Sequence, residues 1–265
     1  MTNAPSLKIV QISDTHLFAE TNQHLLGFST LRSLEALLQH LRQLSPLPDL
    51  FLLTGDLSQD GTAASYQHLQ KHFSSLQIPL YWLPGNHDCL ENMERSLTHP
   101  VFRPEKSFQA GGWQFILLNS QDPGCVHGVL SPNSLDWLEQ QLQQCSNVPT
   151  LISMHHPPLE VESSWIDGSR LQNASDFFDL IDRYPQVKLV VFGHVHQEVQ
   201  RQRGSVFYLG TPSTCIQFEP KSVEFALGHQ DPGFRVFNLY PNGIWTTRVQ
   251  RIHYAHTLDL AATGY

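Results

Sequence analysis

Leu189-Val190-Val191-Phe192-Gly193-His194-Val195-His196 sets a short apolar run against a glycine and two histidines at alternate positions. The run carries no charge and includes two β-branched residues, as expected of a strand buried on both faces. The histidines would then stand just past its C-terminal end. Four other segments follow the same plan. Residues 9–12 lead to Asp14-Thr15-His16, 50–53 to Gly55-Asp56, 80–83 to Gly85-Asn86-His87-Asp88, and 151–154 to His155-His156-Pro157. Five strands would therefore deliver carboxylates, a carboxamide and imidazoles to one edge, where open α/β sheets bind their ligands. Oxygen donors mixed with imidazole suit iron, manganese or zinc better than calcium. The five segments together supply a ligand set for two adjacent metal ions.

Outward from these strands the pattern alternates with helical periodicity, which makes the chain α/β. Over 30–44, Leu31, Leu34, Leu38, Leu41 and Leu44 recur at three- and four-residue steps behind Ser29 and Thr30 as caps. Ser131 and Pro132 open a helix bearing Leu135, Leu138 and Leu142 on one face. Further helices are expected over 63–73 and 173–183. Beyond Gly193 the pattern turns β-like, with strands over 206–209, 234–239 and 244–249 and a hairpin turn at Pro241-Asn242-Gly243, which predicts a second sheet. The polar stretch 158–172, which contains Trp165 and Arg170, follows a metal motif directly and reads as a substrate-facing loop.

A chain of 265 residues can fold as one domain covering 1–265. The net charge of −8, without any run of lysine or arginine, disfavours nucleic acid as a partner. No segment reaches the ~20 apolar residues of a membrane span, and Met1 to Ser6 lack the features of a signal peptide, so a cytoplasmic protein is expected. Cys89, Cys125, Cys145 and Cys215 are widely spaced and read as reduced thiols. His40, His68, His72, His99 and His253 read as ordinary surface or core histidines.

The order D-x-H, G-D, G-N-H-[DE], H and G-H-x-H resembles that of the calcineurin-like metallophosphoesterases. Asp14-Thr15-His16-Leu17-Phe18, Gly55-Asp56-Leu57, Trp82-Leu83-Pro84-Gly85-Asn86-His87-Asp88, Gly193-His194-Val195-His196-Gln197-Glu198 and Thr211-Pro212-Ser213-Thr214-Cys215 are similar to the bacterial class III 3′,5′-cyclic-AMP phosphodiesterases within it. The likeness extends from about Lys8 to Tyr265.

The resemblance implies a two-layer β-sandwich flanked by helices, in four layers αββα. It implies two divalent ions, the first held by Asp14, His16 and His196, the second by Asn86, His155 and His194, with Asp56 bridging. The implied catalytic residue is His87, which would protonate or stabilise the leaving oxygen. His16, Asp56, Asn86, His87 and His196 would surround the phosphate of a small cyclic nucleotide, and hydroxide generated between the ions would attack it. The chain is expected to act as a monomer or homodimer. His155 is favoured over His156 as the ligand because it directly follows the strand.

The chain also departs from the family's protein phosphatases. The aspartate that orients the catalytic histidine there, three residues after the bridging carboxylate, is replaced by Gln59, and Asp60 stands where an arginine follows that aspartate. Asp60 and Asp88 are left as candidates to orient His87. A less selective phosphodiesterase or phosphomonoesterase, and a non-catalytic metal-binding scaffold, are the competing readings.

Overall fold

The computed structural model describes residues 6–264. Residues 1–5, most of the stretch read above as lacking a signal peptide, and Tyr265 lie outside the described residues. In chain order the elements are β1 (Leu7–Ile12), α1 (Thr30–Leu41), β2 (Leu50–Thr54), α2 (Ala63–Ser74), β3 (Leu80–Leu83), α3 (Leu90–Ser96), β4 (Phe102–Arg103), β5 (Ser107–Ala110), β6 (Trp113–Leu117), α4 (Pro132–Gln144), β7 (Thr150–Ser153), α5 (Ser164–Asp167), α6 (Ala174–Ile181), β8 (Val187–Phe192), β9 (Val199–Arg203), β10 (Val206–Gly210), β11 (Gln217–Phe218), β12 (Leu227–Gly228), β13 (Gly233–Leu239) and β14 (Trp245–Arg251).

One six-stranded sheet has the order β14-β13-β1-β2-β3-β4, and a second has the order β5-β6-β7-β8-β10-β9. Strands β1 to β4 are parallel, as are β6, β7, β8 and β10. Alternate residues face alternate layers, as the two-residue period of a strand requires. Ile9, Leu50, Leu52, Leu151, Leu189 and Val191 fill the space between the sheets. Val10, Ile12, Phe51 and Leu53 pack instead with Leu34, Leu38 and Leu41 of α1 and Leu69 and Phe73 of α2. On the far side, Ile152 and Val190 meet Leu138 and Leu142 of α4 and Phe177 of α6. The result is helix, sheet, sheet, helix, the four layers anticipated. Burying each α1 leucine contributes about 1.5–3 kcal/mol, so the helix is held by this stripe.

Helix α1 ends at Leu41, short of residue 44. Gln43 and Leu44 donate to His40 and Leu41 in tighter three-residue turns before Pro46. The Ser29 hydroxyl does not cap it, whereas Thr62 caps α2 and Ser131 caps α4. The expected second sheet is present, but the C-terminal strands read from the sequence are divided between the two six-stranded sheets. Strands β13 and β14 extend the first sheet beside β1, while β10 lies beside β8 in the second. Stretch 158–172 is folded: the Asp167 carboxylate accepts from the amides of Val161 and Ser163 around the single turn α5. All four cysteines are free thiols. Among the described residues, no helix is long and apolar enough to cross a membrane.

Candidate metal centre

The five motifs emerge from the C-terminal ends of β1, β2 and β3 in one sheet and β7 and β8 in the other. The site therefore straddles both sheets and does not line the edge of one. The loops are stitched together by backbone bonds: Asp14 N to Gly55 O, His16 N to Asp56 O, and Gly193 N to His155 O, at 3.0–3.1 Å. Asp14, His16, Asp56, His194 and His196 all have positive φ, between 44° and 67°. Each such non-glycine residue costs about 1–2 kcal/mol, a strain typical of functional sites. In Asp14-Thr15-His16 and His194-Val195-His196 the left-handed residues alternate, which turns both outer side chains inward. Gly193 itself is required by crowding, since a Cβ there would meet Ser13 Oγ at 2.0 Å and Asp14 Oδ2 at 2.9 Å.

The structure brings seven of the predicted side chains into two touching groups. In one, His196 Nε2 lies 3.5 Å from Asp14 Oδ1 and 3.2 Å from His16 Nε2. In the other, Asn86 Oδ1 lies 3.2 Å from His155 Nε2 and 3.1 Å from His194 Nδ1. Asp56 Oδ2 faces both groups, 3.1 Å from His155 Nε2 and 3.8 Å from His16 Nε2. All but Asn86 are buried.

The proton positions show what this arrangement can hold. The carbonyls of Ile216 and Thr54 can only accept, so His196 and His155 each present an Nδ1–H to them at 2.8 Å. His16 Nδ1 meets Gln59 Oε1 at 2.6 Å, and His194 Nε2 meets Ser169 Oγ at 2.8 Å. In the neutral rings the opposite nitrogens then aim lone pairs at each other and at acceptor oxygens. Such a surface repels itself unless a cation lies within it. Among the described residues Asp14 Oδ2 is buried without a hydrogen-bond donor, and Asp56 Oδ2 is buried with the His155 ring nitrogen at 3.1 Å, leaving anionic oxygens of the kind that hard cations take. The residues fit two cations, with fixed ring orientations of the kind that tune metal ligands.

The electrostatics agree. Burial alone would raise the Asp14 and Asp56 carboxyls, but the surrounding histidines, His196 for Asp14 and His155 for Asp56, outweigh it and hold both below the usual range. Burial lowers His16 to about 3 and depresses His194 strongly, keeping both neutral. Burial also opposes charge on His155, yet Asp56 overrides it and raises the ring to about 9. His155 therefore retains a proton or exchanges it for a metal.

His87 is half-buried at the rim, its ring centroid 5.0 Å from that of His16. Its backbone N–H donates to Asp56 Oδ1 at 2.8 Å. Asp60 accepts from Ala19, Ser58 and Thr62. Asp88 accepts from Gly85, Leu57, Ser58 and Tyr66. Both carboxylates thus organise the turns beneath the site.

His156 has its two ring nitrogens against Ser120 Oγ and the Val126 carbonyl, at 2.8 and 3.0 Å, so its lone pair is already engaged. The Trp165 ring meets Phe218 and Phe225 edge-on at 4.9 and 5.1 Å, and Phe218 stacks on His196 at 4.1 Å. That tryptophan anchors its loop to the wall of the site. Arg170 donates to the Asp167 carbonyl and lies 3.7 Å from Glu160.

Sequence reasoning missed the supports of the four imidazole rings, namely Gln59, Ser169 and the Ile216 and Thr54 carbonyls. Gln59 alone had left a signal, as the departure three residues after Asp56.

Residues 7–198 match the family model described as calcineurin-like phosphoesterase. The chain is 52% identical to a 3′,5′-cyclic-nucleotide phosphodiesterase of Nostoc sp., over 97% of each chain. It is 40% identical to the 3′,5′-cyclic adenosine monophosphate phosphodiesterase CpdA of Escherichia coli, over 98% of this chain and 95% of that one. Among solved structures it resembles a dimetal phosphatase from Danio rerio, with a TM-score of 0.74 at 12% identity, over 97% of this chain and all of the other. With its motifs gathered at the ends of two facing sheets and the family model matching most of its length, the chain belongs to the calcineurin-like phosphoesterases.

Proposed function

We propose that this protein hydrolyses 3′,5′-cyclic AMP to 5′-AMP, using two divalent metal ions. One observation carries the substrate: identity of 52% over nearly the full length of a relative named as a cyclic-nucleotide phosphodiesterase. Asp14, His16 and His196 would hold one ion, Asn86, His155 and His194 the other, with Asp56 between them. The donor set, imidazole and oxygen without a required thiolate, suits iron or manganese, with zinc also accommodated. When bound, such a pair supplies Lewis acidity toward the phosphoryl oxygens and a nucleophile at neutral pH.

The chain's own residues do the rest. His16, Asp56, Asn86, His87 and His196 surround the place for the nucleotide phosphate. The hydrogen bonds at Ile216, Thr54, Gln59 and Ser169 fix four imidazoles so that none reorients during turnover. His87, at the rim, gives a proton to the departing 3′ oxygen, a poor leaving group as a bare alkoxide. General acid catalysis of this kind contributes about 10²–10⁴-fold. Asp56 holds the His87 backbone, so the acid and the metal centre share one anchor. The enzyme is placed in the cytoplasm, as a single domain over 1–265 acting as a monomer or homodimer.

The test is product analysis with manganese- or iron-loaded protein given cyclic AMP, 2′,3′-cyclic AMP and an aryl phosphodiester. Preferred formation of 5′-AMP supports the reading. Turnover of only the other esters would reduce it to a less selective phosphodiesterase.

A further inference from the structure

The turn Asp122-Pro123-Gly124-Cys125 follows Gln121, which bonds to the Gly85 and Asp88 carbonyls, and plays no part in the proposed reaction. Cys125 N donates to Asp122 O at 3.0 Å, and Gly124 has φ +81°. Proline followed by a left-handed glycine is the signature of a type II turn. That turn sets the first and fourth side chains next to each other, and His127 comes back alongside them. His127 Nε2 lies 3.1 Å from Asp122 Oδ2. The neighbouring Asp122 carboxylate pushes the Cys125 thiol up. One donor atom from each of the three residues lies within 4.8 Å of the others. Tetrahedral zinc, with bonds of about 2.0–2.3 Å, wants its donors about 3.3–3.7 Å apart, so small side-chain rotations reach that geometry.

We propose that Asp122, Cys125 and His127 form a third metal site, which takes a thiophilic divalent cation such as Zn²⁺ with solvent as the fourth ligand. A thiolate, an imidazole and a carboxylate together select zinc over the hard cations. The thiol proton is released to solvent on binding. The loop is held on both sides of the turn. Gln121 donates to the Gly85 and Asp88 carbonyls, and His156 meets the Val126 carbonyl. The three donors are half-exposed, which gives an ion direct access from solvent.

Cobalt(II) is the probe, because thiolate ligation gives it a near-ultraviolet charge-transfer band that imidazole and carboxylate do not. Cys215 is the one other thiol to control for, since its sulfur lies within 4.8 Å of a ring nitrogen of both His16 and His196. Full-length protein preloaded with manganese is titrated with Co²⁺. The expected result is a band saturating near one equivalent, displaced by Zn²⁺, lost in Cys125→Ser and His127→Ala, and retained in Cys215→Ser. The thermal melt of each variant shows that it folds, and Asp122→Asn serves if either fails. No band, a band that survives Cys125→Ser, or one lost with Cys215→Ser would overturn the proposal.

Discussion

Gly85→Ala should disable the site through a single methyl group. Gly85 has no left-handed φ to preserve, so the substitution acts through space alone. A Cβ there would sit 2.3 Å from Asp56 Oδ1, 2.5 Å from Asp56 N and 2.8 Å from Asp56 Cγ. Cβ contacts below 3.0 Å are essentially never seen, and 3.0–3.4 Å is already tight. Asp56 must therefore retreat by roughly 0.7–1.1 Å. A displacement of about 1 Å in a positioning group costs about 100-fold in rate, or roughly 2.7 kcal/mol in barrier. Because Asp56 faces both donor groups, metal content should fall with the rate. The assay pairs turnover of cyclic AMP with metal analysis of the purified protein, and a thermal melt to establish folding. Gly204→Ala is the control: nothing lies within 4 Å of its Cβ and φ is +59°, so it should cost about 1–2 kcal/mol of stability and leave the rate unchanged. A folded Gly85→Ala protein with both metals and a rate within threefold of the parent would refute the steric argument.

Three further substitutions probe the supports. Gln59→Ala removes the acceptor for His16 Nδ1 and should weaken metal affinity about 10–100-fold; equilibrium titration with Mn²⁺ reads this, and unchanged affinity would remove Gln59 from the account. Tyr66→Phe deletes a buried hydroxyl that donates to Asp88 and accepts from Cys89 N. It should cost about 1.5–3 kcal/mol, a fall of roughly 3–10 °C in Tm, with an unshifted melt as the contrary result. Burial, then the neighbouring His155, lowers His156 to about 3 from 6.5. Between those values the unfolded chain binds the extra proton, so stability falls as pH drops through that window. In metal-free protein, His156→Gln should flatten that slope by about 1.4 kcal/mol per pH unit; denaturation curves of equal slope would contradict it.

The motif residues were legible because each follows its own strand within a few positions, so a local pattern places it. The partners that orient them were not. Thr54 lies 101 residues from His155, and Ile216 lies 20 from His196; no spacing rule joins a ring to a distant carbonyl. Buried strands alternating with helices indicated the α/β class, and the four layers came from the family resemblance; strand order followed from neither, because hairpins and crossovers share the same periodicity. Hence β13 and β14 joined β1, and the β5–β6 hairpin around Gly111-Gly112 went unforeseen. In Gly193-His194-Val195-His196 a glycine beside two histidines reads as a source of backbone freedom. The two histidines themselves take the left-handed conformations, and the glycine makes room for Ser13 and Asp14. The polarity of the loop holding Trp165 reads as substrate-facing, yet the ring itself packs on Phe218, a contact visible only after the β11–β12 hairpin has folded against it.

The central claim is that this chain converts 3′,5′-cyclic AMP to 5′-AMP with His87 supplying the proton. Phosphorus NMR of metal-loaded protein and cyclic AMP, run beside His87→Ala, tests it most directly. The account predicts 5′-AMP as the product, and a rate about 10²–10⁴-fold lower in His87→Ala with both metals retained. Absence of 5′-AMP, or equal rates in the two proteins, would contradict it.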